Sequence, residues 1–458
     1  NVSVTLAITR IENMEVESTV SAIAVTAAVG AVVLLLILLC SIGRKSLKEE
    51  EKNETEEKEE KITLIEKTSK KTRLTQRPRK TQVSFSHPLL ASSLKGHSSP
   101  ILSFDLSPNG KYVITVAEDR SIMLWNTKDF GQKENKFIRA NVELDHATKV
   151  KFTPDSKAFI VSLANLNTIR VFRIGKKEDG SLGNITAAQD FAKKHKADII
   201  NIGVASNGKF IMTCSSDTCF IVWSIKGDVL AEIDTHQMNN SYGAVSPCGR
   251  FVATSGFTTD VKVWEVCFSK TGDFQEVKRA FELKGHSAGV FCFCFNNDST
   301  RMASVSKDNT WKYWDTNIQY NLGQESYLLF TGKLPGSGPC LVALSPDGRT
   351  VAMGTENLIC LYNAQNGKDE ERLENVYSGP LTELAFDITG QYLLSAGDKH
   401  VHVLHNVTGY KAAIADLREK ELKATGAAMK ERIRQQMNEA RDALQKITGD
   451  ANGFVESK

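Results

Sequence analysis

The sequence predicts an all-β fold, a seven-bladed propeller, and three observations predict it. A histidine is followed twenty-eight positions later by a tryptophan four times, as His97 and Trp125, His195 and Trp223, His236 and Trp264, and His286 and Trp314. Between the members of each pair lie a turn cluster, a short apolar run and alternating strand residues that end at the Trp. Aligned on the end of each third strand, Trp125, Phe172, Trp223, Trp264, Trp314, Tyr362 and His405 follow one another at 47, 51, 41, 50, 48 and 43 residues. A unit of this size cannot bury its own apolar face, so copies must stack, and a ring of sheets is the stacking that leaves few open edges. Function is then to be read from a surface rather than from one catalytic pocket.

Composition allows one large domain with appendages. Of 458 residues 41% are hydrophobic and 24% charged, ordinary values for a packed core. The net charge of +3 conceals strong local segregation. Nine cysteines form no CxxC pair and most sit inside apolar runs, which reads as free thiols in a reducing compartment. The chain begins at Asn1 rather than at a Met, which reads as a truncated or processed product.

In chain order, residues 1–17 form a short N-terminus with acidic Glu12, Glu15 and Glu17. Residues 18–43 hold no charge and are centred on a run of Val, Leu and Ile. Such a stretch exceeds the roughly 20 residues a helix needs to cross a bilayer, and acidic residues precede it where a secretory signal would carry a basic leader. It is expected to be an uncleaved transmembrane helix. Arg44, Lys45 and Lys48 follow at once, which places the N-terminus in the lumen and the bulk of the chain in the cytosol.

Residues 44–85 are rich in Lys and Glu and poor in large apolar groups, the composition of a disordered tether. Its second half is polybasic, with Lys67, Lys70, Lys71, Arg73, Arg77, Arg79 and Lys80 and no acid among them. A solvated linker, contact with anionic lipid and contact with RNA phosphate all fit such a run.

Residues 86–408 carry the seven blades. Their inner strands precede turns such as Ser107-Pro108-Asn109-Gly110, Ser246-Pro247-Cys248-Gly249 and Ser345-Pro346-Asp347-Gly348. The last blade has only three strands before the pattern ends at His405-Asn406. Leu89 to Leu94, just ahead of the first Gly-His, has the composition to supply the fourth and close the ring front to back.

With Gly96-His97, Gly285-His286 and Trp314-Asp315, this stretch resembles the WD40-repeat family. The resemblance implies a His, Ser/Thr, Asp and Trp network stiffening each blade. Complete sets stand at His97, Thr115, Asp119 and Trp125, at His195, Thr213, Asp217 and Trp223, and at His286, Ser304, Asp308 and Trp314. Recurrence blade after blade argues against a Ser-His-Asp hydrolase, which needs one such constellation only. Blade two substitutes Asp145-His146 and Phe172, and blades six and seven lack the His.

Residues 409–448 turn to Ala, Lys, Glu, Arg and Gln. Ile433, Met437, Ala440, Leu444 and Ile447 fall on one helical face, Thr425-Gly426 interrupts the segment, and 449–458 is a tail. Packing on the propeller rim, a two-chain coiled coil and a partner groove would each use that stripe.

No nucleotide loop, metal cluster or isolated nucleophile with a base is visible, so neither a cofactor nor an enzymatic activity is expected. The expected function is a membrane-anchored scaffold that presents loops to other proteins, with Glu118, Arg120, Lys307 and Asn309 beside the network Asp residues as contact candidates. Several stretches, among them 140–148, 246–253, 260–268 and 302–308, resemble one family member more closely. That closer resemblance implies the endoplasmic reticulum membrane, the unfolded protein response and translational control. It implies cytosolic proteins as partners, a stress-sensing kinase of the endoplasmic reticulum among them. The alternative is an RNA-binding adaptor that uses the basic tether and a propeller face.

Overall fold

The computed structural model describes residues 85–132, 134–178 and 182–449. The chain divides between Val83 and Ser84 into two units, and the expected N-terminus, membrane span and nearly all of the tether lie outside the described residues. Among the described residues no helix is long and apolar enough to cross a membrane.

The described residues form twenty-eight strands, β1–β28 in chain order, arranged as seven four-stranded antiparallel sheets. The inner strands are β2 (Ile101–Leu106), β6 (Ala147–Phe152), β10 (Ile199–Val204), β14 (Asn240–Val245), β18 (Val290–Phe295), β22 (Cys340–Leu344) and β26 (Leu381–Phe386). Each touches the next, and β26 touches β2, so the ring is closed. Six of the seven carry a register shift after their first residue, as between Ile101 and Ser103. A bulge there bends the strand and strengthens its twist, which fans the blades around an axis. Blade six pairs without one.

The turn leaving each inner strand needs a residue at positive φ in its last position. Gly supplies it at Gly110, Gly208, Gly249, Gly348 and Gly390 (φ between +67° and +75°), while Ser156 and Ser299 adopt +56° and +60° in blades two and five. The Ser107 side chain stabilises the first of these turns by accepting the Tyr112 N–H at 2.9 Å.

Ring closure uses the front of the chain. β1 (Leu90–Lys95) pairs antiparallel with β28 (His400–His405), Leu94 opposite Val401, and completes blade seven in the order β1, β28, β27 (Tyr392–Gly397), β26. The edge of β28 is thereby covered by the protein's own strand.

The core lies between blades rather than inside one. Phe104 and Trp125 of blade one pack with Leu94, Leu394, Val401 and Val403 of blade seven, and Trp223 of blade three packs with Ile160 and Ile169 of blade two. Each alternating strand thus buries one face against its own neighbour blade and the other against the opposite one, which is why the strands read as nearly continuous apolar runs.

Behind blade seven the chain forms two helices, α1 (Val407–Lys423) and α2 (Ala427–Thr448). α1 starts two residues ahead of the expected boundary because Asn406 caps it, its side chain accepting the Gly409 N–H at 2.9 Å. Ala424-Thr425-Gly426 separates the helices, and Gly449 ends α2 at φ +66°. Ile433, Met437 and Leu444 of α2 are buried. Met437 and Leu444 join one cluster with Ile414 of α1 and Leu361, Leu373, Leu393 and Leu404 of blades six and seven, so the stripe packs on the rim.

Candidate functional site

The loop that enters each inner strand and the hairpin between the second and third strands meet at one end of every blade. In blade one the loop brings His97 and the hairpin between β3 (Tyr112–Ala117) and β4 (Ser121–Asn126) brings Asp119. His97 Nε2 lies 2.7 Å from Thr115 Oγ1, which also accepts the Trp125 Nε1–H at 3.0 Å. His97 Nδ1 lies 3.3 Å from Asp119 Oδ1 and 2.9 Å from Ser121 Oγ. Asp119 further accepts the Ser98 and Ser121 N–H groups at 2.8 and 3.0 Å, tying loop to hairpin.

Blade five repeats the arrangement. His286 Nε2 lies 2.8 Å from Ser304 Oγ, the Trp314 Nε1–H donates to Ser304 Oγ at 2.9 Å, and His286 Nδ1 lies 3.0 Å from Asp308 Oδ2. Asp308 accepts from Thr310 Oγ1 at 2.6 Å and from the Ser287 N–H at 3.0 Å. Burial lowers the pKa of His97 and His286 despite the facing carboxylates, so both rings are neutral at pH 7. Burial by itself would raise the Asp308 carboxyl, but the hydrogen bonds from Thr310, Ser287 and His286 outweigh it and hold its pKa at about 2.

Blade three departs from the complete set expected of it. His195 Nε2 lies 2.6 Å from Thr213 Oγ1 and the Trp223 Nε1–H donates to the same oxygen at 2.8 Å. His195 Nδ1 nevertheless has no partner, and Asp217 accepts the Cys219 N–H at 2.9 Å instead. Two neighbours outside the motif account for this. Where Ser121 and Thr310 clamp the carboxylate onto the imidazole, blade three has Cys219, a weak donor whose thiol turns to Glu232 at 3.6 Å. Where Ser98 and Ser287 follow the His, it has Lys196.

Blade four breaks the cadence in another way. His236 stands at φ +49° with its side chain 73% exposed, and the next residue turns inward. Gln237 Nε2 donates to Thr254 O at 2.8 Å, taking the place the spacing assigns to His236. Trp264 is held instead by Phe220 at 5.1 Å and by Arg279 above its ring at 5.7 Å. Blade seven has no His in this loop, yet the Tyr377 hydroxyl fills the slot, donating to Ser395 O at 2.5 Å, while Asp398 accepts the Ser378 N–H at 2.8 Å. In blade two the carboxylate comes from the loop: Asp145 accepts from Asn165 Nδ2 at 2.9 Å and from the Leu166 N–H at 3.2 Å.

These polar groups lock loops to hairpins. Thr115, Thr213 and Ser304 are fully buried, so no substrate reaches their hydroxyls. Inner-strand charges also satisfy one another, with Lys151 on Asp105 at 2.8 Å and Lys149 near Glu383 at 3.8 Å. Among the described residues no group of His, Cys, Asp and Glu is placed to hold a metal ion.

What remains open to partners is the surface of the turns. Glu118 and Arg120 flank Asp119, and Lys307 and Asn309 flank Asp308; all four are exposed, and Arg120 and Asn309 both take φ +60°. They share one face of the ring, but blades one and five are not adjacent, so the two pairs are not brought together. Lys307 Nζ sits 5.6 Å from the centre of the Phe257 ring and 5.8 Å from that of Phe291, which orients it towards blade four. Sequence reasoning missed the apolar members of this face, Leu144 (92% exposed), Met238 (73%) and Phe257 (58%). Their signal was a large apolar residue inside a turn. The polybasic Lys67, Lys70, Lys71, Arg73, Arg77, Arg79 and Lys80 lie outside the described residues.

Comparison with known proteins agrees with this geometry. The family described as WD domain, G-beta repeat matches residues 89–126 and 277–315, which hold the first three strands of blades one and five, whose networks are complete, each with the outer strand of the blade before it. The chain is 52% identical to transducin beta-like protein 2 of Mus musculus over 384 residues, covering 83% of this chain and 87% of that protein. Identity to the Homo sapiens protein of that name is also 52%, over 385 residues, 83% of this chain and 86% of that one. A more distant relative is the periodic tryptophan protein 2 homolog of Dictyostelium discoideum, 23% identical over 62% of this chain and 30% of that protein. At 52% identity over more than four fifths of its length to both transducin beta-like protein 2 chains, this propeller belongs to the transducin beta-like protein 2 family of WD40-repeat proteins.

Proposed function

We propose that this chain is a non-catalytic scaffold, tethered to the endoplasmic reticulum membrane, whose propeller faces the cytosol and gathers protein partners in stress signalling and translational control. One observation carries the scaffold reading. The His-to-hydroxyl pairs of blades one, three and five are buried, and in blades one and five the Asp is spent on fixing a loop, while the turns beside them hold charged and apolar side chains out to solvent. Rigid turns on a closed ring lose little freedom on binding, which favours recognition over chemistry.

Anchoring is supported by the uncharged stretch 18–43 and the basic flank behind it. The organelle and the stress-sensing kinase as partner are supported by kinship alone. Proximity labelling from the C-terminus in intact cells tests all three: cytosolic neighbours that include such a kinase are expected. Lumenal labelling, or recovery of the full chain in the soluble fraction, overturns the membrane reading.

A second reading, an RNA-binding adaptor, is favoured by the seven cations between Lys67 and Lys80 with no intervening acid. RNA crosslinking that disappears when Lys70, Lys71, Arg73, Arg77, Arg79 and Lys80 are neutralised supports it. Crosslinking that persists assigns the RNA to a bound partner.

A further inference from the structure

The unclosed network of blade three opens on a cavity of about 360 Å³, within the size range of small-ligand sites. His195, Asp217, Cys219, Glu232, Asp234 and Lys196 border it. Thr213 Oγ1 accepts the Trp223 Nε1–H at 2.8 Å and lies 2.6 Å from His195 Nε2; with the Thr213 hydroxyl donating to Nε2, the neutral ring carries its proton on Nδ1. His195 is only 4% exposed and borders the cavity, and its buried Nδ1 has no hydrogen-bond partner among the described residues. An unpaired buried donor is unfavourable, a penalty an incoming acceptor removes.

The opposite side of the cavity is acidic and under-used. Asp217 accepts the Cys219 N–H, Glu232 faces the Cys219 thiol, and Asp234 accepts the His236 N–H at 2.7 Å with its other oxygen 3.3 Å from His236 Nδ1. Asp217 and Glu232 keep most of their oxygen lone pairs for a further donor. Lys194 and Lys196 stand at the rim, exposed, and among the described residues neither forms an ion pair with the three carboxylates. Three carboxylates spread over a turn and a strand suit a planar cation with several donors better than a point charge. A single neutral N–H suits a peptide carbonyl.

We infer that this cavity receives an arginine side chain of a partner protein, its guanidinium on Asp217, Glu232 and Asp234 and a backbone carbonyl on His195 Nδ1. The inference rests on the scaffold reading and gives one partner class a place on it. Blades one and five cannot do the same, because Asp119 and Asp308 already occupy their His Nδ1 positions.

The test is titration calorimetry of the purified full chain with N-acetyl-Ala-Arg-Ala-amide. Saturable binding with a Kd on the order of 1 mM or tighter is expected, at least about tenfold weaker for the uncharged citrulline peptide and for agmatine, which has no carbonyl. Glu232→Gln should weaken it about fivefold. The double change Lys196→Ser and Cys219→Thr, which restores the clamp of blades one and five, should abolish binding while raising the melting temperature, so misfolding cannot mimic the result. No saturation leaves the cavity to water, and equal binding of the citrulline peptide shows that no guanidinium is recognised; either overturns the proposal. Equal binding of agmatine overturns the peptide assignment in favour of a free guanidine. Either failure leaves the scaffold reading intact, because proximity labelling reports on that separately.

Discussion

Trp125 Nε1 donates to Thr115 Oγ1 at 3.0 Å across the β3–β4 ladder, and the same indole-to-hydroxyl bond recurs from Trp223 to Thr213 at 2.8 Å and from Trp314 to Ser304 at 2.9 Å. The hydroxyl sits between indole and imidazole and satisfies both. Replacing Thr115 by Val keeps the shape and strands the Trp125 N–H and the His97 Nε2 in a dry interior. A loss of about 2–4 kcal/mol is expected, read as a shift of the urea midpoint. The same change at blade two's Val161, where the residue is already apolar, has no equivalent, which makes Val161→Thr a control with a smaller effect of either sign.

Acid should loosen the seam that closes the ring. His402 Nδ1 lies 2.9 Å from Ser93 Oγ of the closing strand, and its ring stacks on Tyr377 at 4.8 Å. Burial first, then the neighbouring His400 and Lys95, pushes its pKa down to about 4. The unfolded chain therefore binds this proton more readily than the native one, so stability is whole above pH 6.5 and falls as pH drops towards 4. His97, His195 and His286 shift in the same direction by burial and add to the slope. Melting temperatures from pH 7.5 to 4.5 should fall, and His402→Gln should flatten part of that fall. A slope unchanged by the substitution would place the acid sensitivity elsewhere.

Ring closure was legible because the blade count came out one strand short at the end and one strand long at the front. Leu94 is 1% exposed and packs between blades seven and one. Leu94→Ala should destabilise by about 2–5 kcal/mol. Deleting 85–95 should do more than that: it bares the β28 edge from His400 to His405, so light scattering should report aggregation where the full chain stays dispersed.

The site was less legible than the fold, and the reason is physical. Periodicity reports which residues share a face, and it found the blades through Trp125, Trp223, Trp264 and Trp314. Whether a given imidazole reaches its carboxylate depends on side chains outside the motif, Cys219 and Lys196 in blade three, which the spacing does not score. In blade four one left-handed residue at position 236 moves the inward side chain on by one, from His236 to Gln237. Tyr377 was readable in principle, since it precedes Ser395 by the eighteen positions that separate His97 from Thr115. An aromatic hydroxyl in a histidine's place was simply a different residue type with the same hydrogen-bond reach.

The helical hairpin offers a test that separates rim packing from association of two chains. α2 buries Met437 and Leu444 against α1 and the last two blades, and Arg349 of blade six reaches Asp416 of α1 at 2.5 Å. Both contacts lie within one chain, so the stripe is already occupied without a partner. Leu444→Ala opens a cavity in that packing and should cost about 2–4 kcal/mol locally. Hydrogen exchange should then speed up through Ala427–Thr448 while the amides of β3 and β19 (Arg301–Ser306) keep their protection, and the mass measured by light scattering should not change. A coiled coil predicts the reverse pattern, a mass that halves with dilution or on substitution. Because the N-cap at Asn406 follows β28 without a linker, undocked helices would pull first on the strand that closes the ring, so faster exchange should next appear at His400–His405 and last in blades two and three.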